Sequence, residues 1–310
     1  MFDPRHVQAL QAVHTEGSFL GAARVLRLTP AAITQRIKAL ESAVGARVLI
    51  RGKTVSLTPQ GQAILSYRQR AHLLEEDLMR ALNLDGQTYT GRTRWRTLRV
   101  AINADSMATW FLPGVAQTLM RQHLLLDVVI DDQDYTHEAL RNGEVLGCVT
   151  TLAQPMKGCL AEPLGTMRYR CVATRALVDR CSDTQGRLLV HRLLAQPAII
   201  FDRKDAMHDR FLLQHFGLKE PLYPRHFVPA LDAFESAICL GLGWGMVPDV
   251  QRTPQADAFV DVLPGATVDV SLYWQHWEQE SAAAAALTLA VKQAAAQRLG
   301  HTADARPAPR

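Results

Sequence analysis

The stretch TPAAITQRIKALE, Thr29 to Glu41, concentrates groups that can read the edge of a base. Glutamine can bond adenine through two hydrogen bonds, arginine can do the same with guanine, and the first amides of a helix favour a phosphate. Gln35 and Arg36 supply the first two functions, and Thr29 with Pro30 marks a helix start that supplies the third. A second set of capable residues is acidic and lies much later. Asp105 follows VAIN, Asp131, Asp132 and Asp134 follow LDVVI, Asp202 and Asp205 follow PAIIF, and Asp232 precedes AFESA. Carboxylates meeting in one cleft would select a cation. Each set also has a plainer reading, with Arg36 and Lys38 as a solvated face and the aspartates as helix caps.

The elements around the first set are short and local. HVQALQAVHTE carries apolar residues at 7, 10 and 13 and stops at Gly17; Ser18 can cap the next helix, FLGAARVLRL, whose Ala22 and Ala23 admit a close neighbour. In the third helix Ile33, Ile37 and Leu40 face inward, leaving Thr34, Gln35, Arg36 and Lys38 largely outside. GARVLIRGKTVSLTPQG then gives two short β pieces about a basic turn, so residues 1–58 are expected to form a winged helix-turn-helix. Residues 59–85 follow as a long linker helix with apolar positions 64, 65, 73, 74, 78 and 82, which needs a partner and is expected to pair with a second copy.

Residues 86–96 are polar and expected to act as a hinge. From 97 to 300 strands alternate with helices, which implies largely parallel sheets covered by helices and a cleft at the strand ends. The expected division is a first lobe of about 97–168 and 269–300 and a second of about 169–268, with the helix after VAIN interrupted or restarted near Pro113 and the tail 301–310 disordered.

Charge separates the two halves. Residues 1–70 hold ten Lys/Arg against three acids, net +7, while the other 240 residues hold 24 basic and 27 acidic groups, net −3. That imbalance fits a polyanion partner for the N-terminal unit. No apolar run is long enough to cross a bilayer and no secretory signal opens the chain, so a soluble, cytoplasmic, nucleoid-associated protein is expected. The five cysteines show no CxxC pairing and are expected to be free thiols. GLGWG lacks dinucleotide-loop spacing, and no HExxH, Walker or GxSxG motif occurs; neither an enzyme nor a cofactor is expected.

The N-terminal stretch resembles the LysR-type transcriptional regulators through Ala22-Ala23, Gln35-Arg36-Ile37, Leu40-Glu41, Gly45 to Arg51 and Thr58-Pro59-Gln60-Gly61. The resemblance implies a two-lobed α/β, periplasmic-binding-protein-like effector domain behind the winged unit and linker helix. It also implies a homodimer or homotetramer on a pseudo-palindromic site in double-stranded DNA, with RNA polymerase as a partner. It assigns DNA contacts to Thr29, Ala32, Thr34, Gln35 and Arg36, and phosphate contacts to Lys38, Arg51 and Lys53. Pro30 and Ala31 replace the polar residues that many members carry there.

VAINADSMATWFLPGVA, EVLGCVT, FDRKDAMHDRFLLQHFGL and LYWQHW are similar to the ArgP/LysG subgroup, which responds to lysine and arginine and commonly activates a basic-amino-acid exporter gene. That similarity places Asn103, Asp105, Ser106, Thr109, Trp110, Phe201, Asp202, Asp205, Met207, His208 and Asp232 at the effector cleft, beside Asp131 and Asp132 from the acidic set. Ser106 and the helix amides would hold the effector's carboxylate and the acids its cations. The rival reading is an effector-independent architectural or replication-associated DNA-binding protein, in which the acids are caps only.

Overall fold

Capping fixes the first three helices of the computed structural model, which describes residues 2–50, 52, 55–82, 95–131, 136–141, 143–249 and 258–300. Helix α1, Pro4–Glu16, begins on the Asp3 carboxylate and ends at Gly17 in the left-handed conformation. Helix α2, Phe19–Leu26, starts where Ser18 Oγ accepts from the Gly21 amide at 3.0 Å. Thr29 Oγ1 accepts from Ala32 N at 3.1 Å to open α3, Pro30–Val44, with Pro30 in the first turn, where its missing N–H leaves no bond unmade. Leu10, Val13, Ala22, Ala23, Ile33, Ile37 and Leu40 close one small core between them.

The wing is an antiparallel pair, β1 (Leu49–Ile50) and β2 (Ser56–Leu57). Three polar bonds tie it to its neighbours. Glu41 Oε1 accepts from Val48 N at 3.1 Å, and Thr58 Oγ1 donates to Arg47 O at 2.7 Å while accepting from Gly61 N. Gly61 is required there, because a Cβ would stand 2.1 Å from Val48 O.

Helix α4, Pro59–Ala81, buries Ile64 in the winged core. Farther along, Leu74, Leu78 and Leu82 repeat every four residues and are exposed. Its Asp77 reaches the effector unit, accepting from Arg96 Nη1 at 3.3 Å and from Ala282 N at 2.6 Å.

Lobe I takes β3 (Arg96–Ile102), a helix α5, β4 (Leu124–Ile130), α6 (Thr136–Arg141) and β5 (Gly147–Thr150). The chain then crosses on β6 (Cys159–Ala173) to lobe II, which contains α7 (Arg175–Cys181), α8 (Val190–Leu194), β7 (Ala198–Ile200), α9 (Met207–Phe216), β8 (Arg225–Phe227), α10 (Leu231–Cys239), β9 (Trp244–Pro248) and β10 (Val260–Asp261). It returns on β11 (Thr267–Trp277) and finishes with α11 (Ala282–Arg298).

Helix α5 continues through Ala104–Ser106, a π turn at Met107–Phe111 and Leu112–Gln122, so the regular α-helix restarts at Leu112, beside Pro113, as expected. Proline removes the bond to the carbonyl four residues back, and the wider turn just before it absorbs that loss.

Among the described residues the strands form a nine-stranded sheet in the order β4-β3-β5-β11-β6-β9-β7-β8, with β10 on β6. The expectation of largely parallel sheets needs correcting. β3 is parallel to β4 and β5, and β7 to β8 and β9, but β6 and β11 run antiparallel to each other and to the neighbouring lobe strands. The chain crosses between lobes once in each direction, so the crossing strands oppose one another. The lobe boundaries expected at 168/169 and 268/269 fall inside these two strands. No described helix is long and apolar enough to cross a membrane, and all five cysteines are free thiols, four of them buried.

The expected contacts Arg51, Lys53 and Asp132, most of the expected hinge, the end of the linker helix and the tail 301–310 lie outside the described residues.

Candidate DNA face and effector cleft

On α3 the inward positions Ile33, Ile37 and Leu40 are fully buried, which fixes the opposite face. Thr29, Gln35 and Lys38 are exposed there; Ala32, Thr34 and Arg36 are half-buried at its margin. Thr34 Oγ1 donates to Pro30 O at 2.9 Å, so its hydroxyl is turned back on the helix and its methyl is left outward. Among the described residues Gln35, Arg36 and Lys38 have no protein partner, which leaves their donors for a ligand. The N-terminal end of α3 presents Pro30 and Ala31 to solvent.

The cleft lies where the parallel strands of both lobes end. From lobe I it is lined by Asn103, Ala104, Asp105 and Asp131; from the crossing strand by Tyr169; and from lobe II by Phe201, Asp205, Met207, Leu231, Phe234, Glu235, Met246, Val247 and Pro248. Its volume is about 60 Å³, room for a few water molecules, and it opens in part to solvent.

Four carboxylates line this space, Asp105, Asp131, Asp205 and Glu235. Asp105 Oδ2 accepts from Tyr169 Oη at 2.7 Å. Burial pushes the Asp105 pKa up to about 6; the Tyr169 bond opposes this, and the charges of Asp205 and Glu235 add to it. Asp205 is held by backbone, accepting from Met207 N at 2.8 Å and from Phe201 N at 3.4 Å. Glu235 is 5% exposed in the wall formed by α10.

Asn103 precedes α5 without a side-chain bond to the helix amides, so the first turn, with Ala104 and Asp105, meets the cleft uncapped. At the mouth Lys204 Nζ donates to both Asp131 oxygens, at 2.8 and 3.1 Å.

Of the residues expected at the effector site, Asn103, Asp105, Asp131, Phe201, Asp205 and Met207 line the cleft together. The other described ones lie elsewhere. Ser106 is fully buried behind the lining and its Oγ has no partner among the described residues. Thr109 Oγ1 donates to Asp105 O at 2.6 Å, within the helix. Trp110 is a core residue, edge-on to Phe111 at 5.9 Å. His208 packs 5.0 Å from Trp244, where burial holds its pKa below the usual imidazole range against the pull of Asp205 and Asp209. Asp202 turns into its own loop, Oδ1 accepting from Lys204 N and Asp205 N at 2.7 and 3.1 Å.

Asp232 is exposed on α10, outside the lining, and the acid facing the cleft from that helix is Glu235. Glu235 went unread in the sequence although it interrupts the apolar stripe Leu231, Phe234, Ile238, a signal available in the spacing. Tyr169 carried no such signal, because only the crossing of β6 brings it to Asp105.

Comparison with known proteins agrees with both regions. Residues 4–62 match the family described as bacterial regulatory helix-turn-helix protein, lysR family, and residues 61–296 match the LysR substrate binding domain. The HTH-type transcriptional regulator ArgP of Pseudomonas fluorescens (strain Pf0-1) is 38% identical over 280 residues, 89% of this chain and 91% of that protein. The regulator LysG of Mycobacterium tuberculosis (strain H37Rv) is 37% identical over 303 residues, 95% of each chain. The crystal structure of ArgP from Mycobacterium tuberculosis superposes with a TM-score of 0.83 at 36% identity, covering 97% of this chain and 100% of that one. Full-length LysG from Corynebacterium glutamicum with bound effector Arg gives 0.73 at 33% identity, covering 96% and 99%. A capped helix-turn-helix with open donors, joined by a long helix to a two-lobed cleft, belongs in this chain to a DNA-binding transcriptional regulator of the LysR family that senses a small effector.

Proposed function

We propose that the effector is a basic amino acid, lysine or arginine, and that the regulated gene encodes a basic-amino-acid exporter. The observation that carries the ligand class is the convergence of Asp105, Asp205 and Glu235 in a cleft otherwise walled by Phe201, Met207, Leu231, Phe234 and Met246. Without a cation such a group repels itself; with one, each acid gains a charge-assisted partner. The uncapped first turn of α5 suits the ligand's α-carboxylate. Asp105, Asp205, Glu235 and Asp131 take its ammonium groups or guanidinium, and Phe201 and Met207 flank the apolar stem. The arginine bound to the Corynebacterium relative supports this class; the exporter rests on the subgroup resemblance alone.

At the DNA end Gln35 and Arg36 read bases, Thr29, Ala32 and Thr34 contact the groove, and Lys38, Arg51 and Lys53 meet phosphates. The stripe Leu74, Leu78, Leu82 pairs two linker helices, giving a dimer, and dimers pair into a tetramer on a pseudo-palindromic site near RNA polymerase. Ligand entry moves the lobes, and Asp77, bonded to Arg96 and the start of α11, carries that movement to the linker helix.

A calorimetric titration of the full chain with lysine, arginine, ornithine and glutamine tests the ligand class. Binding of basic members without glutamine is expected; equal binding of glutamine, or silence across the panel, rejects it.

A further inference from the structure

The cation pairing with Asp131 belongs to the protein itself. Asp131 ends β4 in lobe I and lines the cleft; Lys204 lies 73 residues away, in the lobe II loop after β7, and holds both of its carboxylate oxygens. The loop is prebuilt. Asp202 accepts from the amides of Lys204 and Asp205, and Asp205 from those of Phe201 and Met207, so the backbone is fixed and the freedom left is in the lysine side chain. Its head is half-exposed, 48% against 34% for Asp131. A half-exposed pair of this kind is weak, so a ligand can displace it.

We propose that Lys204 is a tethered competitor at the Asp131 subsite and sets the concentration at which a basic amino acid occupies the cleft. The inference rests on the basic-amino-acid reading. An alkylammonium is the side-chain group of lysine itself, so a lysine ligand reaching Asp131 exchanges one ammonium–carboxylate pair for an equivalent one and gains little. A guanidinium presents a planar fork to the two oxygens, which an ammonium cannot, and so gains on displacement. The tether keeps the competitor at an effective concentration on the order of millimolar. Either ligand breaks the same Lys204–Asp131 pair, so the intact residue weakens both by one factor and the fork's advantage stays with arginine.

The test is calorimetry on the full-length protein and its Lys204→Met variant with arginine, lysine and glutamine, at one pH and salt. Removing the competitor is expected to tighten lysine about fivefold, the equivalent of about 1 kcal/mol. Arginine tightens by the same factor, so the preference ratio holds, while the melting temperature falls by a few degrees at most. A Lys204→Arg variant, whose fork holds Asp131 more firmly, is expected to weaken lysine about threefold. Equal or weaker lysine binding by Lys204→Met overturns the proposal and makes Lys204 a ligand contact or a simple clasp. Silence of the wild type across the panel removes the basic-amino-acid reading and this one with it, whereas wild-type binding that Lys204→Met does not tighten removes this one alone.

Discussion

On α3, Gln35, Arg36 and Lys38 have no protein partner among the described residues, whereas each acid in the effector cleft is either already held or shut away. Asp105 holds Tyr169, Asp205 holds two amides, Asp131 holds Lys204, and Glu235 lies buried in the wall. The first region is ready for a ligand that brings its own dense charge and requires nothing to be undone. The second reaches its ligand by exchange, each new contact replacing an old one. A sensor needs this, because an effector moves an equilibrium only by the difference between what it makes and what it displaces.

The largest test separates the two regions by breaking one. Gly61→Val places side-chain atoms against Val48 O, 2.1 Å from where a Cβ would stand, and should destabilise the winged unit by about 3 kcal/mol. DNA footprinting should fail while effector affinity persists. Parallel loss of effector binding would mean that the two regions fold as one.

The cleft is probed next by Asp105→Asn, which keeps an oxygen for Tyr169 Oη and removes the charge. A charge-assisted bond contributes about 2 kcal/mol, so calorimetry should show effector affinity falling roughly thirtyfold at unchanged DNA affinity. An unchanged titration takes Asp105 out of the exchange. Gln35→Ala then tests the open face, with about 1.5 kcal/mol of discrimination expected to vanish at one base position in an operator-variant binding series. Uniform weakening across all variants would instead make Gln35 a backbone contact.

The contrast also explains what the sequence could disclose. The winged unit is built from caps and stripes within a few residues of one another, so Gly17, Ser18, Thr29 and the Ile33–Ile37–Leu40 face were readable in place. The cleft gathers positions from 103 to 248. The strand-end rule found Asp105, Asp131 and Asp205, but it could not tell a lining acid from one turned into its own loop, as Asp202 is. Helix phase decided Asp232 against Glu235, and α10 begins at Leu231, so the residue on the inner face is the one beside Phe234. Tyr169 and the antiparallel crossing depend on pairing between β6 and β11, about 100 residues apart, which no local pattern records.

The smallest expected effect is protonic. Burial, with Asp205 and Glu235, holds the Asp105 pKa at about 6 against an ordinary 3.8, the Tyr169 bond opposing. Between those values the folded chain keeps a proton that the unfolded chain has released. This group's contribution to stability therefore falls as pH rises from about 4 to about 6 and is level beyond. A cationic effector reverses the preference, since it favours the ionised carboxylate and must expel the proton to bind. Affinity for a basic amino acid should consequently rise about tenfold between pH 5 and pH 7 and then flatten, with proton uptake by the buffer visible when calorimetry is repeated in buffers of different ionisation enthalpy. In Asp105→Asn the slope should disappear along with the proton release. A slope that survives the substitution would move the titrating group to another acid of the cleft, and the exchange at Asp105 would then be of hydrogen bonds alone.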